Sequence, residues 1–310
     1  MDELTQSLEA FGPWDWACVG ANLTAAVLGL FGLRCWRGMP GVLPPLPVSA
    51  SNAALGVATG VMAFGLVFGL VTAAAAQAFS SHFGIAQAHV FTAAFIGQSA
   101  AAVTMIAMGV LVPETLRWAP DVASDESSAS PLRRALRSFS FSRLLLVMLI
   151  LFALGLALAA IWKGVHVGWT QLFQQGLVGE PPADEPQDIV DSVLKTDVDS
   201  WRFVTIIFAV SIGAPVMEEL AFRGMLYPGL RRLMAGGSSQ HARWIAVCLT
   251  GAIFSAAHQS PSAALPLFGF GAFMCLVRDR YGLLTCMAAH ACFNGWNLLW
   301  LKLAPAASTL

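Results

Sequence analysis

Residues able to do chemistry are concentrated in the last third of the chain. Glu218, Glu219 and Arg223 stand in Ala214-Pro-Val-Met-Glu218-Glu219-Leu-Ala-Phe-Arg223-Gly224, His258 closes Phe254-Ser-Ala-Ala-His258, and His290 and Asn294 bracket His290-Ala-Cys-Phe-Asn294. On a helix, residues four apart share a face, so Glu219 and Arg223 can compensate each other while Glu218 points about 100° away with no local cation. That leaves Glu218 as the carboxylate free to act on water. His290 and Asn294 likewise project from one face. Two chemistries suit this set. Glu218, His258 and His290 have the donor types of a two-His, one-Glu zinc site; or Glu218 and His258 polarise a water without metal while His290 and Asn294 donate to an oxyanion. The plainer reading is that these groups pin helices together or sit in a wet turn.

The elements that must position them lie in lipid. Of 310 residues 57% are hydrophobic and 11% charged, against roughly 45 to 50% apolar and about 25% charged in an average soluble domain. A soluble polar rind cannot be made from so few charges. Runs of around 20 apolar residues, long enough for a hydrocarbon core of about 30 Å, fall at 16–33, 53–79, 90–112, 144–162, 203–222, 244–260, 264–277 and 282–301. The expected fold is an all-α polytopic membrane protein with about eight transmembrane helices and a catalytic cavity in the C-terminal five. Glu218, Glu219 and Arg223 then lie at membrane depth, where each unpaired charge would cost about 2.5 to 3.5 kcal/mol. They must face partners or water. His82, His89, His166 and His241 fall near span ends or in connections and read as interfacial.

Cations set the orientation, because Lys and Arg are retained in the cytoplasm. With the N-terminus outside, the inner connections carry Arg34, Arg37, Arg117, Arg133, Arg134, Arg137, Arg143, Arg231, Arg232, Arg243, Arg278 and Arg280; the outer ones carry only Lys163, Lys195, Arg202 and Lys302. Both termini are therefore expected outside. Acidic residues precede the first span, which lacks the basic start of a cleaved signal. Residues 1–113 form an N-terminal group of three spans, 114–143 a Ser-rich and then basic cytoplasmic linker, and 144–310 the catalytic membrane domain. The acidic 163–202 connection is expected to be an outer loop with one short helix. Gly56 with Gly60, and Gly65 with Gly69, allow close helix packing. The six cysteines, Cys18, Cys35, Cys248, Cys275, Cys286 and Cys292, lie in apolar runs without a CxxC pair and read as small hydrophobes.

The three motifs in this order resemble the CPBP family of intramembrane proteases, also called type II CAAX prenyl endopeptidases, whose pattern is EExxxR, then FxxxH, then HxxxN. They stand here as Glu218-Glu219-xxx-Arg223, Phe254-xxx-His258 and His290-xxx-Asn294; the resemblance covers about 203–300, and the first 140 residues match only as hydrophobic spans. It implies peptide-bond hydrolysis in the membrane. By that likeness Glu218 and His258 activate the attacking water, His290 and Asn294 stabilise the oxyanion, and Glu219 and Arg223 hold the helix in register. It describes the site as metalloprotease-like, with zinc the one cofactor to consider and no organic cofactor expected.

Water must reach the scissile bond. Arg231 and Arg232, close behind the first motif, suggest a cavity opening toward the cytoplasm. At 1.5 Å per residue His258 lies about 22 Å from Arg243, and Glu218 about 20 Å from Arg231. Those depths match only if 224–236 is a continuous helix; a break at Pro215 or Gly224 would set Glu218 nearer the surface.

The expected partners are a membrane peptide or protein substrate and the lipid bilayer of a plasma or inner membrane. A net charge of −1 leaves no cationic excess for nucleic acid. Two other classes use the same residues: a noncatalytic chaperone or immunity scaffold that binds a membrane peptide, and a proton-coupled transporter. The latter would need acids or bases in the first half of the chain, whose spans offer neither.

Overall fold

The computed structural model describes residues 11–36, 48–83, 90–117, 139–180, 193–196, 200–234 and 239–304. Helices stand at each of the eight places expected, and among the described residues there is no strand. They are α1 (Pro13–Cys35), α2 (Ala50–Met62, running on through a π-helical segment Ala63–Val67 and Phe68–Phe83), α3 (Val90–Leu111), α4 (Phe141–Gln174), α5 (Trp201–Leu233), α6 (Gln240–Ala257), α7 (Ala264–Tyr281) and α8 (Leu283–Leu303). Helices α1 to α5 and α7, the last with its leading turn from Pro261, are long and apolar enough to cross a membrane; α6 and α8 are not among them. Six spans therefore stand on length and composition alone.

Burial follows the chemistry of the spans. α5 is the hub, with Leu220, Phe222 and Met225 in one core with Met105, Phe254, Met274 and Leu283 from four neighbouring helices. The outer helices turn apolar side chains outward, as Phe31, Leu70, Val110 and Phe141 do, which is the face lipid requires. Trp14, Trp16 and Trp201, exposed at the starts of α1 and α5, sit where an aromatic interfacial belt belongs.

Small residues let backbones touch. Gly60 of α2 leaves room for α5, where a methyl group would lie 3.2 Å from Ala221 O, and Gly56 does the same for Thr115 O at 2.8 Å. Gly65 and Gly69 meet nothing within 4 Å, so only the first of the two small-residue pairs is a packing seam. Helices of residues 1–113 thus lie directly on those of 144–310. Most of the proposed linker, 118–138, lies outside the described residues, as do His89, the side chains of His82 and Cys35, and residues 181–192 and 197–199 of the acidic connection.

The fourth span is longer than expected. α4 runs to Gln174, about 50 Å at 1.5 Å per residue, so its last turns extend past a 30 Å hydrocarbon core and Trp162 marks the exit, donating to Pro261 O at 3.0 Å. α5 runs unbroken from Trp201 to Leu233 but relaxes into π-helix at Ala209–Gly213 and Leu220–Leu226. Single π turns absorb local strain and re-aim side chains without ending a helix. Pro215 and Gly224 therefore do not break α5, which continues past both to Leu233; Met234 is already extended, so the helix stops short of the 236 that the depth match assumed, yet it covers the whole interval from Glu218 to Arg231.

Candidate active site

The depth match closes on two ties. At one end of the bundle Arg231 of α5 and Arg243 of α6 both reach Asp279 of α7, at 3.8 and 3.0 Å, and Tyr227 donates to the same carboxylate at 2.7 Å. This cluster is buried and holds α5, α6 and α7 at one level. Thirteen residues back along α5 and fifteen on along α6, Glu218 Oε2 and His258 Nε2 are 4.0 Å apart. The two counts give nearly the same rise, so the antiparallel helices bring acid and imidazole to equal depth.

His258 is presented by a helix end. α6 stops at Ala257, His258 is its C-cap, and Gln259 adopts a left-handed φ of 50°, the conformation that commonly terminates helices. The chain then turns through Pro261–Ala263 into α7. Irregular backbone at membrane depth is tolerated only where it lines a cavity or is buried in protein, and Ser260 and Ser262 line one. The His258 Nδ1 lies 2.8 Å from Phe254 O; a carbonyl can only accept, so Nδ1 donates and Nε2 faces Glu218.

His290 comes from α8 with the same polarity. Its Nδ1 lies 2.8 Å from Glu219 Oε1, and its Nε2 lies 3.8 Å from Glu218 Oε2. Arg223 donates to the same Glu219 Oε1 at 2.8 Å and to Gly271 O at 3.1 Å. The i, i+4 pair expected from spacing is present and fully buried. It also does something the spacing did not show: Glu219 orients His290. Truncating one partner of such a buried pair typically costs about 3 to 5 kcal/mol, because the other charge is left uncompensated.

Phe254 is more than a spacer in its motif. Its ring lies 4.6 Å from the His258 ring, the Arg223 guanidinium carbon lies 4.6 Å from its centroid, and Phe270 stacks on it at 5.6 Å. The apolar ring separates the His258 imidazole from the buried cation while attracting both.

Glu218, His258, His290 and Asn294 line one cavity of about 620 Å³. Three polar atoms, Glu218 Oε2 and two imidazole Nε2, face one another at its polar end. At 3.8 and 4.0 Å these separations exceed a direct hydrogen bond and suit a bridging water or cation. The donor types would suit zinc. Ligand bonds of about 2.0 to 2.2 Å would set ligand atoms about 3.3 to 3.5 Å apart, tighter than found, and among the described residues no three His, Cys, Asp or Glu side chains close into a metal set. Asn294 Nδ2 donates to Val210 O at 3.0 Å in the first π segment of α5, which leaves its second amide hydrogen for other work.

Much of the cavity comes from elsewhere: Phe91 and Gln98 of α3, Leu154 of α4 and Leu267 of α7 line it. A glutamine in an otherwise apolar span was the one signal of this in the sequence. Of the cysteines flanking His290, Cys286 is buried with Sγ toward Met274 O, and Cys292 is exposed.

Residues 200–296 match the family model described as type II CAAX prenyl endopeptidase, Rce1-like, an interval that contains all three motifs. No curated protein and no solved structure matches the chain.

Proposed function

We propose, from the match of residues 200–296 to the type II CAAX prenyl endopeptidase, Rce1-like, family model, that the chain is a CAAX-type intramembrane protease of the CPBP family in which Glu218 activates a water to hydrolyse a peptide bond of a membrane-associated substrate. The observation that carries this reading is that Glu218 Oε2 stands 3.8 and 4.0 Å from two imidazole nitrogens borne by different helices, in one cavity.

A water that donates to Glu218 Oε2 and His258 Nε2 is held with its oxygen toward the cavity. Glu218 takes one proton as the oxygen attacks the peptide carbonyl, and the carbonyl π pair moves onto oxygen to form the tetrahedral anion. His290 Nε2, its ring held from behind by Glu219, and the spare Asn294 amide hydrogen are the donors to that anion. Collapse breaks the C–N bond, and the proton on Glu218 passes to the departing amine. His258 keeps the water in line through Nε2. If a divalent ion occupies the polar end, the same three residues hold it and it supplies Lewis acidity.

The cavity wall also bears on the direction of entry. Phe91, Val193, Ser262 and Leu301 border the cavity, and all lie at helix ends remote from the Asp279 cluster. With arginines kept in the cytoplasm, these ends face the other side. These residues support entry from the non-cytoplasmic side over the inward opening expected from Arg231 and Arg232.

The test is cleavage by purified full-length protein of a membrane-peptide library, read by mass spectrometry. Glu218→Gln, His258→Ala and His290→Ala are each expected to abolish cleavage at unchanged abundance. Cleavage retained by Glu218→Gln would overturn the mechanism.

A further inference from the structure

One border of the cavity is made by chain that the catalytic reading does not use. Residues 193–196 lie in the connection between α4 and α5. Val193 is 1% exposed, whereas Leu194 beside it is 36% exposed and Lys195 is also exposed. The buried valine shares one apolar cluster with Phe91 of α3, Ile206 of α5, and Leu298 and Leu301 of α8. It therefore fills the gap where three helix ends meet, and it lines the cavity there.

A second tie comes from α8. Lys302 Nζ donates to Leu194 O at 3.2 Å and to Thr196 O, and it lies 5.6 Å from the centre of the Phe203 ring of α5. An ammonium has three hydrogens to give. It clips the main chain of the strap to α8 while the aromatic ring attracts the same charge. The catalytic groups lie further in. Ile206 precedes Glu218 by twelve residues and Leu298 follows His290 by eight, so Val193 stands about 12 to 18 Å of helical rise from them. A peptide that reaches them from this end has to pass the valine. One buried side chain and one cation are few ties, and segments held so lightly open without unfolding of the whole protein.

We infer that residues 193–196 are a gate. With Val193 seated and Lys302 clipped to the strap the non-cytoplasmic end of the cavity is shut, and substrate enters when the clip releases and the valine swings out. The inference rests on the hydrolase reading above and adds to it the element that controls admission.

The experiment uses full-length protein in liposomes carrying Val193→Cys in a background of Cys35→Ser, Cys248→Ser and Cys292→Ser, which leaves only the buried native thiols Cys18, Cys275 and Cys286. Adding Lys302→Met, which keeps the stem and removes the donor, is expected to speed maleimide labelling of the introduced thiol about tenfold, the size of one hydrogen bond from a charged group. Lys302→Arg is expected to restore slow labelling, and the unfolding temperature should not change. With Val193 intact, Lys302→Met is expected to raise kcat/KM for a transmembrane peptide. Val193→Cys and Leu298→Cys joined by a short bis-methanethiosulfonate are expected to stop cleavage, and a reductant to restore it. Labelling no faster in Lys302→Met, or equal cleavage by the bridged and the reduced protein, would overturn the inference; so would faster labelling with a lowered unfolding temperature, which marks general loosening. If labelling behaves as expected but Glu218→Gln cleaves like the wild type, the gate stands and the hydrolase reading fails.

Discussion

His290 Nδ1 and Arg223 Nη1 converge on one oxygen, Glu219 Oε1, each at 2.8 Å. The second glutamate of the pair is therefore a hinge between a buried cation and the imidazole that faces Glu218. A carboxylate behind an imidazole fixes its tautomer and ring plane, and loss of such a group typically costs about 10- to 100-fold in activity.

Glu219→Gln is expected to lower kcat by about that factor while the protein remains folded, because the amide can still meet Arg223 or His290 but not both as an anion. Glu219→Ala is expected to destabilise by about 3 to 5 kcal/mol through the stranded Arg223. Kinetics and detergent unfolding of the two variants separate orientation from stability; equal activity of Glu219→Gln and wild type would remove the positioning role.

Phe254→Ala is expected to cost about 3 to 5 kcal/mol, the usual loss for deleting a buried phenyl group, because Phe222, Phe270, His258 and Arg223 all pack on that ring. Phe254→Leu refills much of the volume and should recover most of the stability but not the attraction to Arg223. An unfolding midpoint for Phe254→Ala equal to wild type would show that the ring does not hold the site together.

Glu218 Oε2 sits farther from the two imidazoles than atoms sharing one zinc would. Cleavage by the purified protein is accordingly expected to persist in excess chelator. Loss of cleavage restored by stoichiometric zinc would place a metal between these residues and would revise the water-activation step, not the identity of the three groups.

Ser262 borders the cavity at the end remote from Arg231 and Arg243. In cells carrying Ser262→Cys in a background of Cys35→Ser, Cys248→Ser and Cys292→Ser, which leaves only the buried native thiols Cys18, Cys275 and Cys286, a membrane-impermeant maleimide applied from outside is expected to label the new thiol. Labelling only after the membrane is opened would put the cavity on the cytoplasmic side.

The sequence by itself was enough for an all-α membrane protein, because hydropathy and scarcity of charge are local properties that lipid reads directly. It was also enough for the Glu219–Arg223 pair, since i, i+4 geometry is internal to one helix and survives any packing. The equal depth of Glu218 and His258 could be counted from Arg231 and Arg243, but it became a contact only when both arginines met Asp279 and set the helices at one level. Tertiary structure alone decided the rest. The π segments of α5 and the overrun of α4 to Gln174 leave no mark in hydropathy, which is insensitive to one residue of register or to a helix that leaves the bilayer. The double use of Glu219 and the place of Gln98 beside the cavity depend on helices far apart in the chain. So does the end at which the cavity is bordered, because a residue's neighbours across a bundle are fixed by packing and not by its own span.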